Sequence, residues 1–170
     1  YENKLIAAPA VAQATLHGQL PLHFIDTAGT GFEEVVEGTS ISNPEEAQFV
    51  LQHVQHFMEA LNEQHLALPE VIIIAPYRKQ IQVLKTLMSE QEALQPFQKY
   101  IKINTIDSFQ GQEAPVVYIS MTRSNNDQKI GFLSELRRMN VAMTRAQQKL
   151  VVVGDSTTLS QHPFYDQYIQ

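Results

Sequence analysis

The feature that most limits the fold is a run of β-branched residues without polar alternation, Val71–Ala75, which Pro76 terminates. A strand with one face in water alternates apolar and polar side chains, whereas a strand covered on both faces is apolar throughout. Strands of the second kind are typical of parallel sheets with helices packed against them. The run therefore predicts a central strand of an α/β domain.

Strand and helix patterns alternate along the rest of the chain. Further strands are predicted at residues 22–25, 101–103, 115–120 and 149–153. Helices are predicted at residues 44–61, 78–92 and 133–146. The first helix has Ser42 or Asn43 as its cap and Pro44 at its first position, where proline fits best. This alternation predicts a mostly parallel sheet, in which ligands usually bind beyond the carboxyl ends of the strands.

Composition limits the possible functions only weakly. The 170 residues suit one domain, and no apolar run is long enough to cross a membrane, so no membrane partner is expected. The chain has no cysteine, which fits a reducing compartment, and we expect a cytoplasmic protein. The net charge of −6 argues mildly against nucleic-acid binding. Affinity for a strand, however, depends on local phosphate contacts and not on the total charge.

Two histidines, His53 and His56, stand three residues apart on the first predicted helix, a spacing that a metal ion can use. A structural metal needs further ligands, and none is in view in the sequence. The interpretation we favour is therefore a solvated helix surface, and no metal site is predicted.

Three polar segments flank the predicted strands, at residues 75–80, 104–113 and 137–146. In the third segment, Arg138 and Arg145 are seven residues apart, which places them on one face of a helix. The planar guanidinium of arginine matches phosphate oxygens. The alternative is a solvated basic face, or ion pairing with Glu135.

The second segment combines small donors with a glycine and an acid. Thr105 and Ser108 can donate hydrogen bonds to phosphate oxygens, and Gly111 allows a close backbone approach. Glu113 can accept hydrogen bonds from ribose hydroxyls. The alternative is a plain connection between strands with an Asx turn at Asp107.

Taken in order, the three segments resemble motifs IV, V and VI of superfamily 1 helicases, in the branch that includes the nonsense-mediated-decay RNA helicase and its DNA-acting relatives. Residues 107–113 (DSFQGQE) match motif V, and residues 138–146 (RMNVAMTRA) match motif VI. Residues 1–5, 26–29, 42–43 and 46–47 are also typical of this branch. The resemblance covers essentially the whole chain.

This resemblance implies that residues 1–170 form a single second RecA-like domain, with residues 1–20 as a peripheral segment. The implied fold is the three-layer α/β fold of P-loop NTPases, without a Walker A loop, because no G-x-x-x-x-G-K-[ST] sequence is present. ATP and Mg²⁺ would be held mainly by a first RecA-like domain, which we expect before Tyr1 in the parent chain. The isolated chain is then expected to hydrolyse no ATP.

The resemblance also implies roles for individual residues. Arg145 would be an arginine finger for the γ-phosphate, and Arg138 would anchor its helix or reach the same cleft. The residues implied to contact ATP are Gly111, Glu113, Tyr77 and Arg78. The case for Arg78 is weak, because the arginine of some relatives is replaced here by Ile81.

Thr105 and Ser108 would contact single-stranded DNA or RNA. One alternative function is a nucleotide-binding transferase, which should carry a glycine-rich phosphate loop within this chain. Another is a non-catalytic binding module, which should lack the arginines of motif VI.

Overall fold

The computed structural model describes residues 22–105, 113–125 and 143–159. Its centre is a five-stranded sheet with the spatial order β1-β7-β6-β4-β5, in which every neighbouring pair is parallel. The strands are β1 (Leu22–Asp26), β4 (Val71–Ala75), β5 (Ile101–Thr105), β6 (Ala114–Ser120) and β7 (Ala146–Gly154). The predicted α/β class with a parallel sheet is confirmed, and β4, predicted to be central, lies between β6 and β5.

Helix α1 (Pro44–Glu63) begins where the sequence predicts. The Asn43 side chain is the cap, since its oxygen accepts a hydrogen bond from the backbone N–H of Glu46. Helix α2 (Arg78–Glu90) follows β4 directly, and a 3-10 helix (Glu92–Tyr100) leads into β5. The two α-helices contact each other, α1 beside β6 and β7 and α2 beside β4 and β5, so they form one layer on one face of the sheet.

Two features of the chain were not predicted. Residues 29–42, expected to be irregular, include an antiparallel hairpin of β2 (Val35–Glu37) and β3 (Ser40–Ser42). Gly38 makes the reversal possible, because its φ of 63° is a left-handed conformation that glycine adopts without strain. The last α-helix, α3 (Ser156–Leu159), is one turn long and starts where Asp26 accepts hydrogen bonds from the backbone and side chain of Ser156.

The prediction of a helix at 133–146 is wrong at its end. Met143 is helical, the next two residues form a turn, and Ala146 already belongs to β7. Ala146 is drawn into the sheet because it pairs with Ala114 of β6. The rest of this predicted helix, like the peripheral segment 1–20, lies outside the described residues.

The hydrophobic core lies between the sheet and the helix layer. All five side chains of β4 are buried, as expected of a strand covered on both faces. The inward stripe of α1 consists of Ala47, Val50, Leu51, Val54, Phe57, Met58 and Leu61. These residues recur at intervals of three or four, so they fix the rotation of α1 against the sheet.

Candidate functional site

Because the five strands are parallel, the sheet has one carboxyl edge and one amino edge, and the predicted site residues divide between them. Tyr77 and Arg78 follow β4, and Thr105 is the last residue of β5, so these three lie at the carboxyl edge. Glu113 and Arg145 directly precede β6 and β7, so they lie at the amino edge. Along the nine residues of β7 the two edges are roughly 30 Å apart, at about 3.3 Å per residue.

Tyr77 and Arg78, which were expected to contact the same nucleotide as Glu113 and Arg145, thus lie at the opposite edge from them. Arg78 is exposed at the first position of α2, and Tyr77 is half-buried just before it. Ala75 pairs with Thr105 in the sheet, which brings the end of β5 beside the start of α2. A side chain cannot span the length of a strand, so Tyr77 and Arg78 lie near Thr105 and not near Glu113 and Arg145.

The carboxyl edge contains a network of buried polar groups that centres on Glu46. One carboxylate oxygen, Oε1, accepts hydrogen bonds from the hydroxyl of Ser120 and from the backbone N–H of Thr122, the latter at 2.8 Å. The other oxygen, Oε2, is buried and has no hydrogen-bond partner in the part of the chain that the structure describes. Burial raises the pKa of Glu46 to about 7, although the bonds from Ser120 and Thr122 act in the opposite direction.

Gln80 connects this network to the first turn of α2. Its side chain is fully buried, accepts from the backbone N–H of Asn43 at 2.8 Å and donates to the Ser120 hydroxyl at 2.9 Å. Asn43 in turn donates from its side chain to the backbone oxygen of Thr122 at 3.2 Å. The side chains of Asn43, Glu46 and Gln80 therefore connect α1, α2 and the end of β6.

The turn after β6 is strained. Thr122 has a φ of 76°, a left-handed conformation that a β-branched residue rarely adopts. The bonds from Glu46 and Asn43 hold its backbone on both sides. Strained turns of this kind persist only when the surrounding structure fixes them, and they are frequent at functional sites.

Directly after this turn, Arg123 contacts two parts of the carboxyl edge that are distant in sequence. Its Nε donates to Glu34 at 3.0 Å, and its Nη1 donates to the hydroxyl of Tyr77 at 3.2 Å. Glu34 also accepts from the backbone N–H of Ser124 at 2.9 Å. Sequence analysis assigned Arg123 no role, because its partners are 46 and 89 residues away and no local pattern indicates them.

The amino edge is built differently. The backbone N–H of Ala114 donates to the backbone oxygen of Arg145 at 3.2 Å, so the starts of β6 and β7, which follow the segments that resemble motifs V and VI, lie side by side there. Glu113 is exposed, and Gln147 donates to its carboxylate at 3.4 Å. Arg145 is half-buried, and its Nε is buried without a hydrogen-bond partner among the described residues.

The helical spacing argument for Arg145 is therefore corrected, because Arg145 stands in a turn and not on a helix. Its neighbour Glu113 is placed by parallel pairing of β6 with β7. Three other predicted site residues, Ser108, Gly111 and Arg138, lie outside the described residues.

The histidines of α1 have different surroundings. His56 is exposed, as expected, but His53 is half-buried and its Nδ1 lies 2.6 Å from the hydroxyl of Tyr118. Burial, with Lys149 and two histidines nearby, lowers the pKa of His53 to about 4. Within ranges 22–105, 113–125 and 143–159, no group of three or more His, Asp or Glu side chains is arranged to hold a metal ion.

An unpaired guanidinium nitrogen at the amino edge fits an anion, since a buried charged donor without an acceptor is costly. The same residues do not form a Mg²⁺ site. In the parts of the chain that the structure describes, no helix has the length and hydropathy needed to span a membrane.

The chain is similar to one protein family and to several curated proteins. A family model described as AAA domain matches residues 1–157. The DNA-binding protein SMUBP-2 of Rattus norvegicus is 35% identical over 96% of this chain and 17% of its own length.

Two further relatives carry helicase names. The DNA polymerase alpha-associated DNA helicase A of Saccharomyces cerevisiae is 35% identical over 94% of this chain and 25% of its own length. An uncharacterised ATP-dependent helicase of Methanocaldococcus jannaschii is 32% identical over the whole chain and 26% of its own length. The chain thus spans between 17 and 26% of the length of these curated relatives.

Proposed function

The chain belongs to the AAA domain family, in the form found in superfamily 1 helicases, and from that membership we propose that it is the second RecA-like motor domain of an ATP-dependent nucleic-acid helicase. The parent protein would hydrolyse ATP and move along single-stranded DNA or RNA. The names of the relatives support this proposal, as does the parallel α/β sheet.

The observation that carries the proposal is the Arg145 side chain at the amino edge. Its Nε is buried without a hydrogen-bond partner among the described residues, and Arg145 lies beside the strand that follows Glu113. Leaving a charged donor unpaired costs more than the roughly 1–3 kcal/mol of a neutral group. A phosphate brought by a first RecA-like domain would offset this cost. Arg145 is then the arginine finger, worth roughly 10³- to 10⁵-fold in turnover.

The remaining nucleotide contacts follow from the same edge. Glu113 is exposed and would accept hydrogen bonds from the ribose hydroxyls of ATP. Gly111 and Arg138, by resemblance alone, would approach the nucleotide from motifs V and VI. By the same resemblance, Mg²⁺ would be held by the first RecA-like domain.

The nucleic-acid strand would cross the carboxyl edge. Thr105 ends β5 there, and Tyr77 and Arg78 start α2 beside it, so a hydroxyl, an aromatic ring and a guanidinium occupy one surface. Aromatic rings stack on bases and cations bind phosphates, and neither requires a basic domain. We therefore reassign Tyr77 and Arg78 from ATP to the strand. Ser108 keeps its predicted phosphate contact.

With the two ligands at opposite edges, hydrolysis and strand movement would be linked through motion of the whole domain. ATP would favour a closed arrangement of two RecA-like domains, and its hydrolysis would release that arrangement. Such a cycle requires only that ATP bind the closed state better than the open state.

The test is strand-stimulated ATP hydrolysis by the full-length parent protein, with single-stranded DNA and RNA each assayed. Arg145→Ala should lower turnover by about a thousandfold or more, with nucleotide binding retained. Lys102→Ala is the matched control, since it removes an exposed cation from β5 that lies 3.8 Å from the exposed Glu70. A near-normal Arg145→Ala, or an inactive wild type, would refute the proposal and favour a non-catalytic binding module.

A further inference from the structure

Arg123 is a buried cation at the surface proposed for the strand. Its side chain is 9% exposed, and it donates hydrogen bonds along the carboxyl edge to Glu34 and Tyr77. Its guanidinium carbon also lies 5.9 Å from the centre of the Tyr77 ring, within the range of a cation–π contact. The two contacts together fix both the hydroxyl and the ring of Tyr77.

Glu34 holds Arg123 and the residues after it in place. Its Oε1 accepts from Arg123 Nε, from the backbone N–H of Ser124 and from the side-chain amide of Asn125 at 3.0 Å. The backbone N–H of Glu34 donates to the backbone oxygen of Ser124 at 3.2 Å. The segment before the β2–β3 hairpin is thereby attached to the turn that carries Arg123.

The same turn is fixed from the core side. Thr122 keeps its left-handed backbone between Glu46, which accepts from its N–H, and Asn43, which donates to its carbonyl. A residue whose backbone is held at both peptide groups leaves the next side chain little freedom. Arg123 is therefore a fixed support, unlike Arg78, which is exposed at the start of α2.

We propose that Arg123 is a positioning residue for nucleic-acid binding, which with Glu34 locks the Tyr77 ring in the orientation that stacks on a base of the bound strand. This inference rests on the proposed helicase function and deepens it, since it states how the strand surface is ordered before the strand arrives. Fixing a side chain in advance improves affinity because less conformational freedom is lost on binding.

Two conservative variants test whether Arg123 fixes the orientation of Tyr77, and they keep the ring and the charge. Tyr77→Phe removes the hydroxyl that Arg123 contacts and keeps the ring. Arg123→Lys keeps the charge but loses the planar fork that reaches two partners. Tyr77→Ala removes the ring itself. Tyr100→Phe is the matched control, because Lys99 lies 5.3 Å from the Tyr100 ring in a similar contact just before β5, at the amino edge.

The experiment uses the full-length parent protein and a single strand that contains 2-aminopurine, whose fluorescence reports stacking. Affinity for the strand is measured beside ATP turnover at saturating strand. Tyr77→Ala should abolish the stacking signal and weaken affinity about 5- to 150-fold. Tyr77→Phe and Arg123→Lys should reduce the signal and weaken affinity about 2- to 12-fold.

The outcomes separate this proposal from the function on which it rests. If Tyr77→Phe and Arg123→Lys both match the wild type while Tyr77→Ala loses the signal, Tyr77 stacks without help and the role of Arg123 is refuted. If Tyr77→Ala also matches the wild type, the strand does not use this ring, whether or not hydrolysis is strand-stimulated. A wild-type protein that binds no strand would overturn both proposals. Loss of folding in Arg123→Lys, seen in its thermal melt, leaves Tyr77→Phe to decide.

Discussion

The polar side chains at the two edges of the sheet differ in their hydrogen bonding. At the carboxyl edge, Glu46, Gln80 and Arg123 are buried and form hydrogen bonds with groups of the same domain, although Oε2 of Glu46 has no partner among the described residues. At the amino edge, Glu113 is exposed and Arg145 keeps a buried nitrogen without a partner among the described residues. The polar groups of the carboxyl edge are thus bonded mainly within the domain, whereas we propose that the amino edge is completed by another domain.

This difference shows that some polar residues of the helicase-like segments stabilise the fold, whereas others are proposed to take part in chemistry. Asn43, Glu46 and Gln80 would all pass as candidate catalytic groups by residue type. Their bonds show that they join helices to the end of β6 and shape the surface beside Tyr77. Arg145 has no such internal task, and for that reason we assign it to chemistry between domains.

The largest expected effect is at the amino edge and concerns activity alone. Arg145→Ala should lower ATP turnover of the parent protein by about 4–7 kcal/mol in activation free energy. It should not lower the thermal midpoint of the 170-residue chain, because the buried Nε that it removes has no hydrogen-bond partner among the described residues. Circular dichroism melts beside kinetic assays check this. A large drop in the midpoint would make Arg145 a structural residue.

The next effect is the pH dependence of stability that Glu46 causes at the carboxyl edge. The pKa of Glu46 is raised by burial from 4.5 to about 7 in the folded chain. Between these values the folded state binds more protons than the unfolded state, so the free energy of unfolding falls as pH rises, by about 3 kcal/mol in total. Glu46→Gln should remove this slope.

Urea unfolding of the 170-residue chain at several pH values between 4.5 and 8 measures the slope. Glu63→Gln, at the end of α1, is the control and should keep it. Parallel pH profiles for wild type and Glu46→Gln would show that Glu46 is ionised in the fold and that the buried network is wrongly described.

A smaller effect is expected for Asn43, which serves both as the cap of α1 and as a support for Thr122. Asn43→Ala removes the acceptor for the backbone N–H of Glu46 and the donor to the Thr122 carbonyl. The loss should be about 2 kcal/mol in the free energy of unfolding. Asn62→Ala, an exposed position in the last turn of the same helix, is the comparison. Equal stability of the two variants would contradict a structural role for this edge.

The smallest effect is expected for Lys102→Ala. Its amine lies 3.8 Å from Glu70, and both side chains are largely exposed. Exposed pairs contribute about 0–1 kcal/mol, so urea unfolding should show little change. A loss in the free energy of unfolding as large as that of Asn43→Ala would contradict the expectation that exposed contacts contribute less than buried ones.

Much of the fold was predictable because it depends on local periodicity. The unbroken apolar run of β4 and the intervals of three and four in α1 identify their elements without knowledge of partners. The hairpin of β2 and β3 was not predictable, since Val35 and Val36 remain exposed and no buried pattern marks them. Ala146 was predicted to end a helix, but its pairing with Ala114 of β6 places it in a strand.

The candidate site was predictable in its residue types and not in its arrangement. The motif resemblance identified Arg145 and Glu113, but sequence alone does not show that they precede their strands while Thr105 ends its strand. Arg123 was missed because its bonds to Glu34 and Tyr77 join segments far apart in the chain. Contacts of this kind follow from strand order, which only the folded chain reveals.

The most direct test of the division between the two edges measures both activities of the parent protein in two variants side by side. Strand affinity and ATP turnover at saturating strand are determined for Arg145→Ala and Tyr77→Ala. The division predicts that Arg145→Ala loses turnover and keeps strand affinity, while Tyr77→Ala loses strand affinity and keeps turnover. If each variant loses both activities to a similar degree, nucleotide and strand are not bound at separate edges, and the division is contradicted.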